Sequence, residues 1–241
     1  MEKISVIIPT YNERENLPKL LKKIGKVFEK NKIIGEVMVV DDNSPDGTGE
    51  LAEKLKEKYD FLKVIHRREK LGLGSAYLDG FKKSSGELIF TMDSDLSHDP
   101  RYLPQFLDAT EDADLVVGSR YIPGGEIVGW GAYRKLVSKI ANFLARLSVR
   151  GGVKDVTSGY RCYRRKVLQE IPLDKIQSSG YAFQLEMMYE ARKRDFRIKS
   201  VPISFVDRRQ GKSKLGVFDI LNFLKLTIKL GLKDEVTPRK I

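Results

Sequence analysis

Cysteine is almost absent from this chain of 241 residues, in which Cys162 is the single thiol. One cysteine excludes both an intrachain disulfide framework and a cysteine-based zinc site, and it favours a reducing compartment. Histidine is nearly as scarce, with only two in the chain. His66 and His98 are sparse material for histidine acid–base chemistry or for a histidine metal site.

Long apolar runs are also missing. No stretch offers the roughly 20 consecutive apolar residues of a membrane-spanning helix. The first residues, Met-Glu-Lys-Ile-Ser, enter strand-like sequence at once and lack the basic and then apolar order of a signal peptide. We therefore expect a soluble chain, with one exception near the C-terminus that is described below.

The common nucleotide-binding signatures are absent too. The chain has no Walker-type phosphate loop, and the G-x-G sequence at Gly72-Leu-Gly74 has Tyr77 where the dinucleotide fingerprint needs a third glycine. This sequence also lies well inside the chain rather than after the first strand. We interpret it as a structural glycine turn and expect no dinucleotide cofactor.

Basic residues outnumber acidic residues by 44 to 33, which gives a formal net charge of +11. The excess is concentrated in residues 131–166, with ten basic residues and one acidic residue, and in residues 192–214, with nine and two. We therefore expect an anionic partner, which could be a phosphate group, a nucleic acid or a membrane surface. With 41% apolar residues, a chain of this length can bury the core of one α/β domain.

The hydrophobic pattern alternates between strand and helix. Strand-like runs cover residues 3–8, 36–40, 61–65, 88–92 and 114–118, and helical spacing covers residues 17–28, 48–59, 73–83 and 101–110. Asn12 and Glu15 predict the start of the first helix. Beyond residue 120 the pattern predicts helices over 132–149 and 180–194 and a strand over 199–205, where Pro202 favours the edge of the sheet. The alternation predicts an α/β fold, with a mainly parallel central sheet and helices on both faces.

Polar residues follow several of these strands, at residues 9–13, 41–44, 93–95 and 119–120. Open parallel sheets bind ligands at this carboxyl edge. Asp93 and Asp95 could hold Mg²⁺, which is usually bound by one or two carboxylates and by substrate phosphates. They could equally cap a turn, and their spacing leaves both interpretations open.

Two other acidic residues and one histidine are better explained by turns. Asp41 and Asp42 could bind a nucleobase N–H, but their surroundings are rich in turn residues, which favours a turn. His98 is interpreted as a turn residue rather than a ligand. Arg120 and the basic residues of segment 208–214 could bind a diphosphate or could lie on the solvated surface, and the sequence alone leaves this open.

Five blocks, taken together, resemble the dolichol-phosphate (polyprenol-phosphate) mannose synthases, which are inverting glycosyltransferases with the GT-A fold. The resemblance extends over residues 3–229. The blocks are Val6-Ile-Ile-Pro-Thr-Tyr-Asn-Glu-Arg-Glu-Asn16, Val40-Asp-Asp-Asn-Ser-Pro-Asp-Gly47, Met92-Asp-Ser-Asp-Leu-Ser-His98, Gly118-Ser-Arg-Tyr121 and Gly211-Lys-Ser-Lys-Leu215.

The resemblance implies a single GT-A (Rossmann-like) domain over residues 1–216, followed by a helix and tail over residues 217–241. It implies a D-x-D metal site at Asp93 and Asp95, with Ser94 where the family usually has alanine and with Ser97 close by, and a divalent cation, Mg²⁺ or Mn²⁺. The implied contacts to the donor nucleoside are Pro9, Tyr11, Glu13, Val40 and Asp42. Arg120 and Arg134 match basic positions near the sugar and the acceptor phosphate, and Arg208 and Lys214 match a loop that closes over the diphosphate.

The implied reaction transfers mannose from GDP-mannose to dolichyl or polyprenyl phosphate with inversion. The implied place is the cytoplasmic face of a membrane, which is the endoplasmic reticulum in a eukaryote or the plasma membrane in an archaeon or bacterium. Short members of the family rely on small membrane subunits. A polyprenyl-phosphate glucosyltransferase that uses UDP-glucose is the alternative. Nucleic acid is not an expected partner, because acidic strand ends without metal would repel its phosphates.

The segment 217–230 has the pattern of an amphipathic helix. Asn222, Lys225 and Lys229 fall on one stripe and leave a broad apolar face, formed by Val217, Leu221, Leu224 and Ile228. The pattern fits an interfacial membrane helix. It fits a helix packed on its own domain equally well.

Overall fold

The structure is a computed structural model that describes residues 2–149, 152–176, 178, 180–207 and 217–236. Its strands are β1 (Ile4–Thr10), β2 (Gly35–Asp41), β3 (Leu62–His66), β4 (Leu88–Thr91), β5 (Leu115–Ser119), β6 (Glu126–Val128), β7 (Arg161–Arg164), β8 (Ile198–Pro202) and β9 (Ser204–Val206). Its α-helices are α1 (Leu17–Asn31), α2 (Thr48–Leu55), α3 (Leu73–Lys83), α4 (Leu103–Ala109), α5 (Ala132–Val149), α6 (Arg165–Glu170), α7 (Gly180–Lys193) and α8 (Val217–Val236).

The central sheet has the strand order β3-β2-β1-β4-β7-β5-β8. β7 runs antiparallel to both β4 and β5, and the other pairs are parallel, so the predicted mainly parallel sheet is confirmed. β8 forms an edge, as Pro202 predicted. β7 was not predicted, because a strand of only four residues that begins and ends with arginine does not show a strand-like hydrophobic pattern.

Helices cover both faces of the sheet, which confirms the predicted architecture. Successive strand residues point to opposite faces. Ile7 and Val40 are buried on one face with residues of α3, α5, α7 and α8. Ile8 and Val39 are buried on the other face with residues of α1, α2 and α4. Each parallel strand therefore reads as a continuous apolar run, since both of its faces are buried.

The predicted start of α1 at Asn12 and Glu15 is wrong, because the helix begins at Leu17. Asn12 instead adopts a left-handed conformation, with φ of 57°. Its N–H donates to Ser44 Oγ over 3.1 Å, and the N–H of Glu13 donates to Thr48 Oγ1 over 3.0 Å. This segment is therefore a loop fixed by the loop after β2, and that long-range contact overrides the local capping pattern.

The predicted strand over 199–205 is divided at Ile203. β8 ends before it, and β9 follows and pairs in parallel with β6 in a small second sheet. The N–H of Ile203 donates to the carbonyl of Ser119 over 3.0 Å, and its carbonyl accepts from the N–H of Glu126 over 3.1 Å. These two bonds link the edge of the main sheet to the small one.

The helix α8 packs on its own domain, where it contacts α5 and α7. Phe223, Thr227 and Leu230 form its buried side, whereas Ile228, which the sequence placed on the apolar face, is 65% exposed. The buried stripe is thus turned relative to the predicted one. In the described parts of the chain, we find no helix with both the length and the apolar character needed to span a bilayer.

Candidate active site

The loops that follow β1, β2 and β4 lie side by side at one edge of the sheet. β1 is flanked by β2 and β4, both parallel to it, so their carboxyl ends meet there. The N–H of Asp42 donates to the carbonyl of Thr10 over 3.0 Å, and the N–H of Met92 donates to the carbonyl of Ile7 over 3.1 Å. The fold therefore brings the predicted nucleoside and metal residues to a common edge.

The loop after β1 carries three of the predicted donor residues. Pro9 is half-buried. Tyr11 is half-buried too, and the ammonium group of Lys70 lies 4.0 Å from its ring centroid. Glu13 is buried, and its Oε2 accepts from the side-chain amide of Asn16 over 2.8 Å. The Tyr11 ring and the Lys70 cation together form an amphipathic wall that a nucleoside could contact.

Asp42 is buried at the end of β2. Its Oδ2 accepts from the N–H of Gly72 over 2.9 Å, and its Oδ1 lies 2.6 Å from Nη1 of Arg67. Arg67 also pairs with Asp79, its Nε lying 3.3 Å from Oδ2. Asp42 thus fixes the loop before α3. Val40 is fully buried in the core, so only its main chain is available to a nucleotide.

Asp41 closes a turn, as the turn interpretation predicted. Its Oδ1 accepts from Thr10 Oγ1 over 3.0 Å and from Ser44 Oγ over 2.5 Å, and its Oδ2 accepts from the N–H of Ser44 over 3.0 Å. These bonds orient the start of the loop that contains Asp42. Asp41 therefore has a structural role, and Asp42 is the residue of the pair that we consider for nucleoside binding.

Asp95 is buried and is oriented by Ser97. Its Oδ1 accepts from the N–H of Ser97 over 3.1 Å and from its Oγ over 2.5 Å. Ser94 and Ser97 are both buried. Leu96, between the two bonded residues, has φ of 67°. Positive φ is uncommon for a residue with a branched apolar side chain, and such conformations cluster at functional sites.

Asp93 lies beside the rings of Tyr77 and His98. Tyr77 donates its hydroxyl proton to Asp93 Oδ1 over 3.3 Å, and Nδ1 of His98 accepts from the N–H of Asp93 over 3.0 Å. A neutral His98 therefore carries its proton on Nε2, which is 3.8 Å from Asp93 Oδ2. The His98 ring is buried and stacks on Tyr160, with centroids 5.1 Å apart. His98, which the sequence placed in a turn, thus positions Asp93.

The surroundings of Asp93 affect the acidity of Tyr77. Burial raises the pKa of the Tyr77 phenol well above its usual value, and the negative charge of Asp93 raises it further. Tyr77 therefore remains a hydrogen-bond donor throughout the neutral range. The protonated phenol donates to Oδ1 of Asp93 and does not itself act as a ligand for a cation.

The carboxylates of Asp93 and Asp95 fit a hard divalent cation. Mg²⁺ is usually held by one or two protein carboxylates, and the phosphates of its substrate complete its coordination. Among the described residues, no group of three or more His, Cys, Asp or Glu side chains could hold a metal by itself. The bonds from Ser97 to Oδ1 of Asp95 show that this carboxylate caps the turn, as one of the two interpretations of the sequence predicted.

Arg120 is held by Asp155, which the sequence did not indicate as part of the site. Nε of Arg120 donates to Asp155 Oδ2 over 2.7 Å, and Nη2 donates to Oδ1 over 2.7 Å and to Thr157 Oγ1 over 2.9 Å. Asp155 is fully buried, and Arg120 is 6% exposed. The signal in the sequence was that Asp155 is the sole acid in the basic segment 131–166.

Arg134, in the first turn of α5, lies near Arg120. Its guanidinium carbon is 4.0 Å from the ring centroid of Trp130, and that of Arg120 is 5.6 Å from the same ring. Nη1 of Arg134 also lies 2.9 Å from Asp207 Oδ1. The structure thus brings the two predicted basic residues together beside Trp130. Arg208 and Lys214 lie outside the described residues.

Two clefts adjoin Arg120 and α5, with volumes of about 360 Å³ and 390 Å³. The first is lined by Arg120, Tyr121, Ile122, Gly125, Ile127, Lys135 and Lys139. The second is lined by Tyr121, Lys139, Asn142, Phe143, Arg146 and Lys154. Both linings combine cationic and apolar side chains, and none of the described residues that line them is acidic. They suit a ligand that has a negatively charged group and an apolar part.

The loop before β7 connects Asp155 to the sheet through Arg161. This arginine is fully buried, and it donates to the carbonyl of Val156 over 2.6 Å and to that of Ser158 over 2.9 Å. Its role was missed, because a bond from an arginine to nearby carbonyls leaves no periodic signal in the sequence. The loop before β7 and the guanidinium group of Arg161 together place Asp155 opposite Arg120.

The chain is similar in sequence to several known proteins. The model of Glycosyl transferase family 2 matches residues 5–172. The chain is 42% identical over 236 residues to the polyprenol monophosphomannose synthase of Mycolicibacterium smegmatis, which covers 96% of this chain and 88% of that protein. It is 41% identical over 216 residues to the undecaprenyl-phosphate mannosyltransferase of Micrococcus luteus, with coverage of 88% and 87%.

Solved structures with lower identity share the fold. The glucosyl-3-phosphoglycerate synthase of Mycobacterium tuberculosis, in complex with Mn²⁺, uridine diphosphate and phosphoglyceric acid, has a TM-score of 0.71 at 20% identity, covering 99% of this chain and 80% of that one. The mannosyl-3-phosphoglycerate synthase of Rubrobacter xylanophilus has a TM-score of 0.72 at 19% identity, with coverage of 100% and 77%. The expected GT-A fold is confirmed.

Proposed function

The chain belongs to Glycosyl transferase family 2, and from this premise we propose that it transfers mannose from GDP-mannose to the phosphate of a polyprenyl phosphate. The observation that carries the proposal is the pair Asp93 and Asp95 on the sheet edge that also bears the basic clefts beside Arg120. Relatives at 42% and 41% identity are named as mannosyltransferases that act on polyprenyl phosphates. A membrane lipid with a terminal phosphate matches clefts that are both cationic and apolar.

The donor lies along the loops after β1, β2 and β4. Tyr11 and Asp42 contact the nucleoside, and the buried carboxylate of Asp42 is suited to accept a hydrogen bond from a base N–H. Pro9 and Glu13 shape the same wall. This arrangement supports a purine or pyrimidine with an N–H group, and we propose guanine, since the named relatives are mannosyltransferases.

Asp93 and Asp95 would hold a divalent cation, Mg²⁺ or Mn²⁺, together with the donor diphosphate. When bound, this ion neutralises the charge that develops on the leaving diphosphate. His98 and Ser97 fix the two carboxylates before the donor arrives, so their reorientation adds no cost during the reaction. Arg208 and Lys214, by their positions in the sequence, are proposed to contact the same diphosphate.

The acceptor phosphate binds at the Arg120 and Arg134 side of the site. Because its second pKa is about 6, it is largely a dianion at neutral pH and needs no strong general base. A phosphate oxygen attacks the anomeric carbon, the bond from that carbon to the nucleoside diphosphate breaks, and the diphosphate leaves with the electron pair. Attack opposite the leaving group inverts the anomeric centre and gives a β-linked mannosyl phosphate lipid.

The outer face of α5 is suited to contact a membrane. It presents an exposed apolar stripe formed by Tyr133, Leu136, Ile140, Phe143 and Leu147. The helix sequence contains no acidic residue, and Lys139 and Arg146 are exposed beside the stripe. Apolar residues flanked by cations are typical of helices that lie in the headgroup region of anionic bilayers.

We therefore assign the membrane contact to α5 and extend it to the exposed side of α8, where Ile228 and Leu232 are 65% and 59% exposed. From the sequence alone, a possible membrane contact was predicted only for the segment that forms α8. We propose a peripheral enzyme on the cytoplasmic leaflet, whose anionic lipids complement the basic clefts. Small membrane subunits, if the enzyme uses them, would meet it on this side.

A transfer assay tests the function. The full chain is incubated with labelled GDP-mannose, a polyprenyl phosphate and either Mg²⁺ or Mn²⁺, and label is measured in the organic phase. A parallel incubation contains labelled UDP-glucose. Label transferred only from UDP-glucose would replace the proposed donor, and no transfer from either donor with either metal would contradict the proposed function.

A further inference from the structure

Gln184 on α7 is a buried polar residue. Its side chain is 2% exposed, and among the described residues neither its Oε1 nor its Nε2 has a hydrogen-bond partner. Buried side-chain amides are nearly always hydrogen-bonded, because an unpaired buried group loses its bonds to water. The amide of Gln184 therefore has its donor and its acceptor available for a group that comes from outside the described residues.

This amide borders the candidate metal site. A Cβ atom placed on Gly159 would lie 3.5 Å from Asp93 Oδ1, 3.5 Å from His98 Cε1 and 3.7 Å from Gln184 Nε2. All three atoms thus surround the position that a Cβ atom would occupy at residue 159. Because residue 159 is glycine, no side chain fills this position. The backbone at this point is fixed, since Thr91 Oγ1 donates to the carbonyl of Gly159 over 2.7 Å.

The position of Gln184 is coupled to that of Asp93 through aromatic packing. Its neighbour Phe183 stacks on Tyr77, with ring centroids 5.8 Å apart and an interplanar angle of 18°. Tyr77 in turn donates to Asp93 Oδ1. The stacked rings of Tyr77 and Phe183 therefore fix the carboxylate of Asp93 relative to the side-chain amide of Gln184. Recognition of a small ligand requires such a fixed arrangement.

The chemistry of the amide selects the class of ligand. Gln184 offers both a donor and an acceptor, and a phosphate dianion, which has only acceptors, would leave Oε1 unpaired. Hydroxyl groups can both donate and accept. We propose that Gln184 is a specificity-determining residue that hydrogen-bonds hydroxyl groups of the sugar on the donor nucleotide. This inference rests on the proposed function, because it assumes a sugar nucleotide at Asp93.

Binding measurements test the proposal without the transfer reaction. The full chain and its Gln184→Met variant are titrated with GDP-mannose and with GDP, each with Mn²⁺. Methionine keeps the length of the side chain and removes both hydrogen-bonding groups. We expect the variant to bind GDP within about twofold of the wild-type protein and to bind GDP-mannose about tenfold more weakly, which corresponds to loss of about one net hydrogen bond.

A matched control and a stability measurement separate recognition from a structural role. Gln105→Met, on the exposed surface of α4, should change neither affinity. Gln184→Met should also leave the melting temperature of the free protein unchanged or raise it, because it removes a buried unpaired amide. Equal weakening of GDP and GDP-mannose, or a clear fall in melting temperature, would show a structural role and overturn the proposal.

A second set of ligands covers the remaining outcomes. If the wild-type protein binds UDP-glucose more tightly than GDP-mannose, the proposed donor is wrong. The affinities of the wild-type protein and of Gln184→Met are then compared for UDP-glucose and for UDP. This comparison still tests the role of Gln184. A deoxymannose donor that lacks the contacted hydroxyl should bind equally to the wild-type protein and to Gln184→Met. Unchanged affinity of Gln184→Met for every sugar nucleotide would contradict the inference.

Discussion

Arg120 and Asp155 form a buried, bidentate ion pair beside the basic clefts, with both N–O distances at 2.7 Å. The N–H of Arg120 also donates to Asp155 Oδ2 over 3.0 Å, so one carboxylate holds the side chain and the main chain of the same arginine. This arrangement fixes the guanidinium plane next to Trp130. Much of the charge of Arg120 is consequently matched within the protein, and Arg134 is the less buried cation of the two.

Asp155→Asn should destabilise the fold strongly. The substitution leaves the Arg120 cation buried without its counter-charge, and breaking a buried ion pair costs about 3–5 kcal/mol. We expect a loss of about 3 kcal/mol in the free energy of unfolding, measured by urea titration at neutral pH. The lower figure applies because asparagine still accepts one hydrogen bond.

Asp207→Asn provides the matched control for that experiment. Asp207 pairs with Arg134, whose side chain is 36% exposed. Such partly exposed pairs contribute about 1 kcal/mol or less, because solvent screens them. If both substitutions cost the same small amount, the pair of Arg120 and Asp155 would not be the structural anchor that its burial indicates.

Asp95→Asn should abolish most of the mannosyl transfer and leave the fold intact. The amide can still accept the Ser97 bonds through its oxygen, but it binds a divalent cation far more weakly than a carboxylate does. We expect at least a hundredfold lower kcat/KM, which is about 2.7 kcal/mol of transition-state stabilisation. The stabilisation of the melting temperature by GDP with Mn²⁺ should disappear as well.

Asp99→Asn is a suitable control in the same loop. Asp99 caps the short helix Pro100–Tyr102 by accepting from the N–H of Arg101 over 3.0 Å, and it is not assigned to the metal. The control should retain the response to GDP and Mn²⁺. Retention of the response in Asp95→Asn as well would contradict the assignment of Asp95 as a metal ligand.

The first half of the fold could be predicted from the sequence because its information is local. Strands buried on both faces appear as uninterrupted apolar runs, and the polar ends of those runs predicted that Asp42, Asp93 and Asp95 lie at the carboxyl edge of the sheet. β7 could not be predicted in this way. Arg161 is buried there because its guanidinium group donates to carbonyl oxygens of the preceding loop, at Val156 and Ser158, and no periodic pattern records such contacts.

The site was only partly predictable for the same reason. Asp155 pairs with a residue 35 positions away, and Gln184 lies in a helix whose surrounding residues read as ordinary core. Gly159 acts by lacking a side chain next to Asp93. The roles of these residues depend on which loops the sheet brings together, and that arrangement is a property of the fold rather than of any short stretch.

Glu36→Gln should make the stability of the protein less dependent on pH. Burial alone would raise the pKa of Glu36, but hydrogen bonds from Lys63, Ser5 and Ser85 outweigh it and lower the pKa to about 2. A lowered pKa in the folded state means that the carboxylate stabilises the fold above its unfolded pKa of about 4.3. This contribution is lost progressively as the pH falls from about 4.3 towards 2.

We expect Glu36→Gln to lower the free energy of unfolding at pH 7 by about 2 kcal/mol. This value is smaller than the stabilisation that corresponds to the whole pKa shift, because Lys63 is half exposed and solvent screens its pair with Glu36. The difference between variant and wild type should shrink below pH 4 in urea titrations. Lys54→Gln, on the exposed surface of α2, is a charge-changing control without these partners. A difference that stays constant between pH 7 and pH 3 would contradict the assigned pKa.

The double variant Phe143→Ser and Leu147→Ser should weaken membrane binding without altering the fold. Both side chains are exposed on α5, at 58% and 60%, so their removal leaves no cavity in the core. Each contributes about 1 kcal/mol of transfer into the bilayer interface, so the partition coefficient should fall about thirtyfold. The measurement is sedimentation with vesicles that contain anionic lipid, at low ionic strength.

Ile34→Ser is the matched control, since Ile34 is 63% exposed but lies far along the chain from α5, just before β2. It should bind vesicles as the wild-type protein does. The residual binding of the double variant should depend more strongly on salt, because the remaining attraction comes from Lys139, Arg146 and their basic neighbours, which salt screens. Wild-type binding by the double variant, or equal loss with Ile34→Ser, would exclude α5 as the membrane contact.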